Sequence, residues 1–167
     1  MEVELRAQIK DKEEIINRLI KLGCAKTSTT EMIDYYYQPV NPEQQCFIYR
    51  IRVTKDKVIF TFKKGEEGAW IEKEVLISDP DEMNEILINS FFEKFLTLKK
   101  IRETYHSGDL TINIDDLSDK GLFIEVEIIS DDKDRSKQKI KSFMMREKHR
   151  HSYLRKDELE NNCYKNK

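Results

Sequence analysis

An α+β fold is predicted, an eight-stranded antiparallel β-barrel with flanking helices, and three observations carry the prediction. Eight segments read as strands, and in seven of them apolar and polar residues alternate with period two. Short turn signals such as Lys55-Asp56 and Ser107-Gly108 join several of them, as antiparallel neighbours require. Stretches with helical spacing interrupt the series. Closing such an array removes the unpaired edges that an open one leaves. An open sheet packed on the helices has the same periodicity and stands as the competing architecture.

The elements follow in order. A strand over about 1–9 opens the chain, with Glu2, Glu4 and Arg6 on one face and Val3 and Leu5 on the other. Asp11 and Glu14 have the spacing of a capping box and start a helix with Ile15, Ile16, Leu19, Ile20 and Leu22 on its apolar side, stopped by Gly23. A β-prone stretch near 31–38 contains Tyr35, Tyr36 and Tyr37, and Asn41-Pro42 marks a loop. Strands are expected near 45–54, 57–64 and 69–77. Asp79 as N-cap and Pro80 at the first helical position begin a second helix whose apolar residues are Ile86, Leu87, Phe91, Phe92 and Phe95. Three more strands lie near 98–105, 109–116 and 121–129. A charged helix over about 134–147 turns Ile140, Phe143 and Met144 inward, and a second helical hint follows Leu154.

A chain of 167 residues fits one domain, here 1–160, with a polar tail at 161–167. Charged residues make up 37% of it but nearly cancel, at net −2, so no general polyanion or polycation partner is indicated. Cys24, Cys46 and Cys163 lack metal spacing and an even framework, and read as reduced thiols of a cytoplasmic protein. No leader and no membrane-length apolar run is expected. The GxxxxGK[ST] phosphate loop is missing, and no aromatic-basic platform for nucleic-acid bases is evident. His106, His149 and His151 read as surface residues, and Trp70 as a packing or rim residue.

The charges are sorted by strand. Arg50 and Arg52 share one face, as do Lys100 and Arg102; Glu72 and Glu74 share another, as do Glu125 and Glu127. Lys63 follows Thr61 at spacing two, and Asp115 follows Asn113. A solvated outer face would need no such segregation. If the apolar faces pack under the helices, the charged faces turn inward, and charges there need partners. A polyanion for the cations and a divalent metal for the carboxylates would serve; a metal triphosphate supplies both.

These residues resemble the CYTH-domain proteins, the triphosphate tunnel metalloenzymes, which include class IV adenylyl cyclases, thiamine triphosphatases and inorganic triphosphatases. Glu2-x-Glu4-x-Arg6 is similar to the ExExK signature. Asp34-Tyr35-Tyr36, Tyr49-Arg50-Ile51-Arg52, Thr61-Phe62-Lys63 and Glu72-Lys73-Glu74 follow in order. Lys100-Ile101-Arg102-Glu103-Thr104-Tyr105, Ile114-Asp115-Asp116-Leu117, Gly121-Leu122-Phe123-Ile124-Glu125-Val126-Glu127 and Ser152-Tyr153-Leu154 complete the set.

The resemblance implies a tunnel in which Arg50, Arg52, Lys63, Lys100 and Arg102 grip triphosphate and Glu4, Asp115, Glu125 and Glu127 hold Mg²⁺ or Mn²⁺. Glu2, Glu4 and Arg6 would be catalytic, with Glu72 and Glu74 as additional acidic residues. The implied activity is hydrolysis of a small triphosphate by metal-activated water. A class IV adenylyl cyclase making cyclic AMP and pyrophosphate is the alternative, and a non-enzymatic phosphate-binding module the third reading. A homodimer is a further implication. Arg6 departs from the usual Lys: it keeps the charge and forks onto phosphate, but stays protonated.

Overall fold

The computed structural model describes residues 1–41, 47–66 and 69–146. Cys46, Cys163, His149, His151, the Ser152-Tyr153-Leu154 motif, the helical hint after Leu154 and the polar tail lie outside the described residues. The elements are β1 (Glu2–Ile9), α1 (Lys12–Lys21), β2 (Ala25–Pro39), β3 (Phe47–Thr54), β4 (Val58–Glu66), β5 (Ala69–Ile77), α2 (Pro80–Asn89), β6 (Phe92–Ser107), β7 (Leu110–Leu117), β8 (Gly121–Ile129) and α3 (Lys133–Arg146). The eight strands hydrogen-bond in the cyclic order β1-β5-β4-β3-β2-β6-β7-β8, a closed antiparallel barrel, so the open-sheet alternative is not the one adopted. No helix among the described residues is long and apolar enough to cross a membrane.

The chain divides into two compact units, Met1–Thr30 with the described residues from Lys100 onward, and Glu31–Lys99. In the first, α3 packs on β1 and β8. Val3, Ile112, Ile114, Val126 and Ile140 are fully buried apolar residues there, and Leu19 is the buried residue of α1. Each such side chain contributes about 1.5–3 kcal/mol by leaving water. Because strand side chains alternate, burying Ile112 and Ile114 on one face sends Asn113 and Asp115 to the other. In the second unit Tyr37, Ile51 and Leu87 form the core centre, with Tyr35, Tyr49, Val53, Phe60, Met83 and Phe92 packed around it. The same alternation sends Asp34 and Tyr36, and Arg50 and Arg52, to the opposite face.

Both expected caps form: Asp11 accepts from the Glu14 N–H at 2.9 Å, and Asp79 from those of Asp81 at 2.8 Å and Glu82 at 3.2 Å. Several expectations need correction. Strand β2 begins at Ala25 rather than near 31, because its first residues, Ala-Lys-Thr-Ser-Thr, are exposed and show no apolar alternation. Helix α2 ends at Asn89, so Phe92 and Phe95 belong to β6 and Phe91 to the connection. Ile20 and Ile86, expected on apolar faces, are 60% and 55% exposed. His106 lies within β6, not in a loop, although it is exposed as expected.

Candidate metal and phosphate site

In the first unit, the face of β1 opposite the core carries Glu2, Glu4 and Arg6. Antiparallel pairing with β8 sets Glu4 across from Glu127 and Arg6 across from Glu125. One carboxylate oxygen from each of Glu2, Glu4 and Glu127 lies within 4.8 Å of the others, all three side chains half-buried. Three hard oxygen donors converging in this way suit Mg²⁺ or Mn²⁺.

Asp115 and Glu125 are engaged differently. Asp115 accepts from Arg102 Nε at 2.6 Å and Nη2 at 2.7 Å, from Lys100 Nζ at 2.9 Å and from Arg6 Nη2 at 3.4 Å. Glu125 accepts from Arg102 Nη2 at 3.1 Å and stands 3.9 Å from Arg6 Nε. Burial pushes the Asp115 carboxyl up, but the hydrogen bonds and charge of Arg102 and the charge of Lys100 outweigh it and leave the group below its ordinary range. Burial likewise works against the Arg102 guanidinium, and Glu125, Asp115 and Glu127 more than offset it. Asp115 and Arg102 are therefore both held in their charged forms. By formal charge, the three cations Arg6, Lys100 and Arg102 stand against the five carboxylates of Glu2, Glu4, Asp115, Glu125 and Glu127, a difference of two that matches one divalent cation.

In the second unit, register sets Asp34 opposite Arg52, Tyr36 opposite Arg50, Arg50 opposite Thr61, Thr61 opposite Glu74 and Lys63 opposite Glu72. Asp34 accepts from Arg52 Nε at 2.7 Å and Nη2 at 2.8 Å. Arg50 Nη2 donates to Thr61 Oγ1 at 3.1 Å and Glu74 Oε1 at 3.0 Å, and lies 3.5 Å from Glu72 Oε2. Lys63 Nζ is 2.5 Å from Glu72 Oε1 and 4.5 Å from the centre of the Trp70 ring, which faces it as a cation–π partner. Burial disfavours charge on Arg50, but Tyr36, Asp34 and Glu72 hold its guanidinium firmly protonated.

These polar faces are covered rather than solvated: Asp34, Thr61 and Asp115 have no exposure, and Arg50, Lys100, Asn113 and Glu125 are buried. Arg6 Nε and Arg50 Nε are buried donors without a hydrogen-bond partner among the described residues. Orphaned guanidinium donors beside cations already in place are what an oxyanion ligand would satisfy.

Every residue expected at the site from the sequence is accounted for. Glu2, Glu4 and Glu127 converge; Arg6, Lys100, Arg102, Asp115 and Glu125 form one ion-pair cluster; Arg50, Lys63, Glu72 and Glu74 form another; Arg52 pairs with Asp34. Asp34 and Thr61 had no role in the sequence reading beyond their places in motifs. Their signal was membership of the alternating polar faces, with Asp34 two residues before Tyr36 and Thr61 two before Lys63.

The fold is thus a closed eight-stranded antiparallel β-barrel whose strands carry a carboxylate triad and paired arginines. The CYTH-domain model matches residues 1–161, and the chain belongs to the CYTH-domain family. A protein of Methanocaldococcus jannaschii named "Putative adenylate cyclase" is 31% identical over 133 residues, 76% of each chain. Among solved structures, a conserved hypothetical protein of Pyrococcus furiosus superposes with TM-score 0.77 at 27% identity, covering 87% of this chain and 89% of that one. A protein from Hippeastrum named "Putative adenylyl cyclase", described as having a dominant triphosphatase activity, superposes with TM-score 0.64 at 16% identity, covering 87% of each chain.

Proposed function

We propose that this protein is a divalent-metal-dependent phosphohydrolase that cleaves a small triphosphate, inorganic or organic. The observation that carries the reading is the pairing of the Glu2–Glu4–Glu127 triad with a cluster of buried and half-buried cations on the same unit. Glu2, Glu4 and Glu127 would hold Mg²⁺ or Mn²⁺. When bound, that ion supplies charge neutralisation on phosphate oxygens and activation of a water nucleophile. Arg6, Lys100 and Arg102 bind phosphate oxygens and oppose the charge that builds on them during cleavage. Arg50, Arg52 and Lys63 supply cations of the same kind. Glu74, with 45% of its side chain exposed, is the carboxylate that can leave Arg50 at least cost when an anion arrives. Arg6 in place of the family's usual Lys fits this scheme because phosphate neutralisation needs its charge and not its proton.

Cyclisation of ATP is the second reading, favoured by the name of the 31%-identical relative. The two differ in the nucleophile, water or the ribose 3′-hydroxyl, and in whether a nucleoside is accommodated.

The test is incubation with inorganic triphosphate and, separately, ATP, each with Mg²⁺, Mn²⁺ or chelator, resolving all products. Metal-dependent orthophosphate release from triphosphate supports the hydrolase. Cyclic AMP with pyrophosphate moves the function to cyclase, and binding without turnover moves it to a phosphate-binding module. Glu127→Gln should abolish turnover while leaving the thermal midpoint nearly unchanged. Retained activity in that variant would remove Glu127 from the metal set.

A further inference from the structure

The two units contain one arrangement twice. Asp34 and Arg52 are register partners on β2 and β3, and Arg102 and Asp115 are register partners on β6 and β7. In each pair Nε donates to Oδ1 and Nη2 to Oδ2, at 2.7 and 2.8 Å in one and 2.6 and 2.7 Å in the other. Both aspartates have no solvent exposure. A guanidinium carries five N–H donors in one plane. Side-on contact uses Nε–H and one Nη2–H, which leaves both Nη1 hydrogens and a second Nη2 hydrogen directed away from the aspartate. On Arg102, Nη2 also donates to Glu125 Oε1, at 3.1 Å. Neither aspartate is part of the group formed by Glu2, Glu4 and Glu127. Each carboxylate already serves a charge-assisted, two-point pair in a buried setting, which a metal would have to share or break, and breaking such a pair is costly.

We infer that Asp34 and Asp115 are positioning residues that lock Arg52 and Arg102 side-on, so that each guanidinium presents its Nη1 edge to phosphate oxygens. The inference rests on the phosphate-binding reading above and deepens it, by removing Asp115 from the metal set and giving Asp34 a role. Locking the fork before the ligand arrives removes rotamer freedom that binding would otherwise have to remove, which is the physical content of preorganisation. Lysine at either arginine position would keep the charge and lose the fork.

The experiment is a double-mutant cycle on binding of inorganic triphosphate with Mg²⁺, measured by calorimetry, using wild type, Asp34→Asn, Arg52→Ala and the double variant. Asp34→Asn should weaken binding about tenfold, the size of one lost charge-assisted contact. Arg52→Ala should weaken it at least as much, and the double variant no more than Arg52→Ala alone. In turnover, Asp34→Asn should raise KM for triphosphate and leave the Mg²⁺ titration midpoint in place. Arg52→Lys, which keeps Asp34, covers the case in which Asp34→Asn does not fold; it too should weaken binding about tenfold. Unchanged affinity in Asp34→Asn, equal losses in both backgrounds, or wild-type affinity in Arg52→Lys would overturn the assignment of Asp34. A displaced Mg²⁺ midpoint in Asp115→Asn, with triphosphate affinity retained, would return Asp115 to the metal set. Wild-type protein that binds no triphosphate would overturn the functional reading itself, an outcome distinct from all of these.

Discussion

Glu103 lies on the face of β6 opposite Arg102, and its burial is met by local partners: Lys12 Nζ at 2.5 Å, Lys26 Nζ at 2.6 Å and the Tyr105 hydroxyl at 3.0 Å. Burial pushes its carboxyl up, yet these donors dominate and hold it at about 2. Burial and Glu103 together push the Tyr105 phenol up to about 12. Because the folded-state value of Glu103 is depressed, its contribution to stability is fully present above the ordinary Glu value of about 4.3 and is lost as pH falls from there through about 2. Denaturant midpoints recorded at pH 7, 4, 3 and 2 should therefore fall towards acid in the wild type. Glu103→Gln should be less stable at pH 7 and show a shallower acid limb. An acid limb of unchanged slope would assign the loss to other carboxylates. At this scale the charges themselves were readable from the sequence, since spacing two fixes which face a residue takes. Their partners were not. That Glu4 meets Glu127 while Asp115 meets Arg102 depends on strand register, which no single strand encodes.

Between α2 and β6 the chain turns through Phe91, which adopts φ +64° with 80% of its surface exposed. Its N–H donates to the Ile88 carbonyl at 3.2 Å, and its carbonyl accepts from Val40 N–H at 2.9 Å. A bulky L-residue in this region costs about 1–2 kcal/mol, and a ring so exposed returns little of it. Phe91→Gly should therefore raise stability by about 1 kcal/mol, seen as an increase of about 2–4 °C in thermal midpoint. A lower midpoint would show that the ring is packed more productively than its exposure implies. The same turn explains why α2 looked longer in the sequence. Ile86, Leu87, Phe91 and Phe95 keep helical spacing across the break, so periodicity carries through a point where the backbone does not. The polar start of β2 was hidden for the opposite reason: a strand without apolar alternation leaves no periodic trace.

For the molecule as a whole, the barrel class was accessible because eight strand segments in a mostly antiparallel order have few ways to satisfy their edges. A ligand that binds only the folded chain raises its stability by mass action, about 2.7 kcal/mol at a hundred times Kd. Inorganic triphosphate with Mg²⁺ at that level should raise the melting temperature by about 5–10 °C. Chelator should remove much of the gain, and Arg52→Ala should reduce it. An equal gain with and without metal would mean that the Glu2–Glu4–Glu127 triad takes no part in binding.

Trp70 is the sole tryptophan in the sequence, and Lys63 holds its ammonium over that indole ring while also reaching Glu72. An anion that draws Lys63 away would change the electric field across the ring, and indole emission responds to that field. The molecule thus contains its own optical probe: ligand occupancy at Lys63 should register as a shift in intrinsic fluorescence, in unlabelled protein. Lys63→Met should silence the response even where binding through the other cations persists.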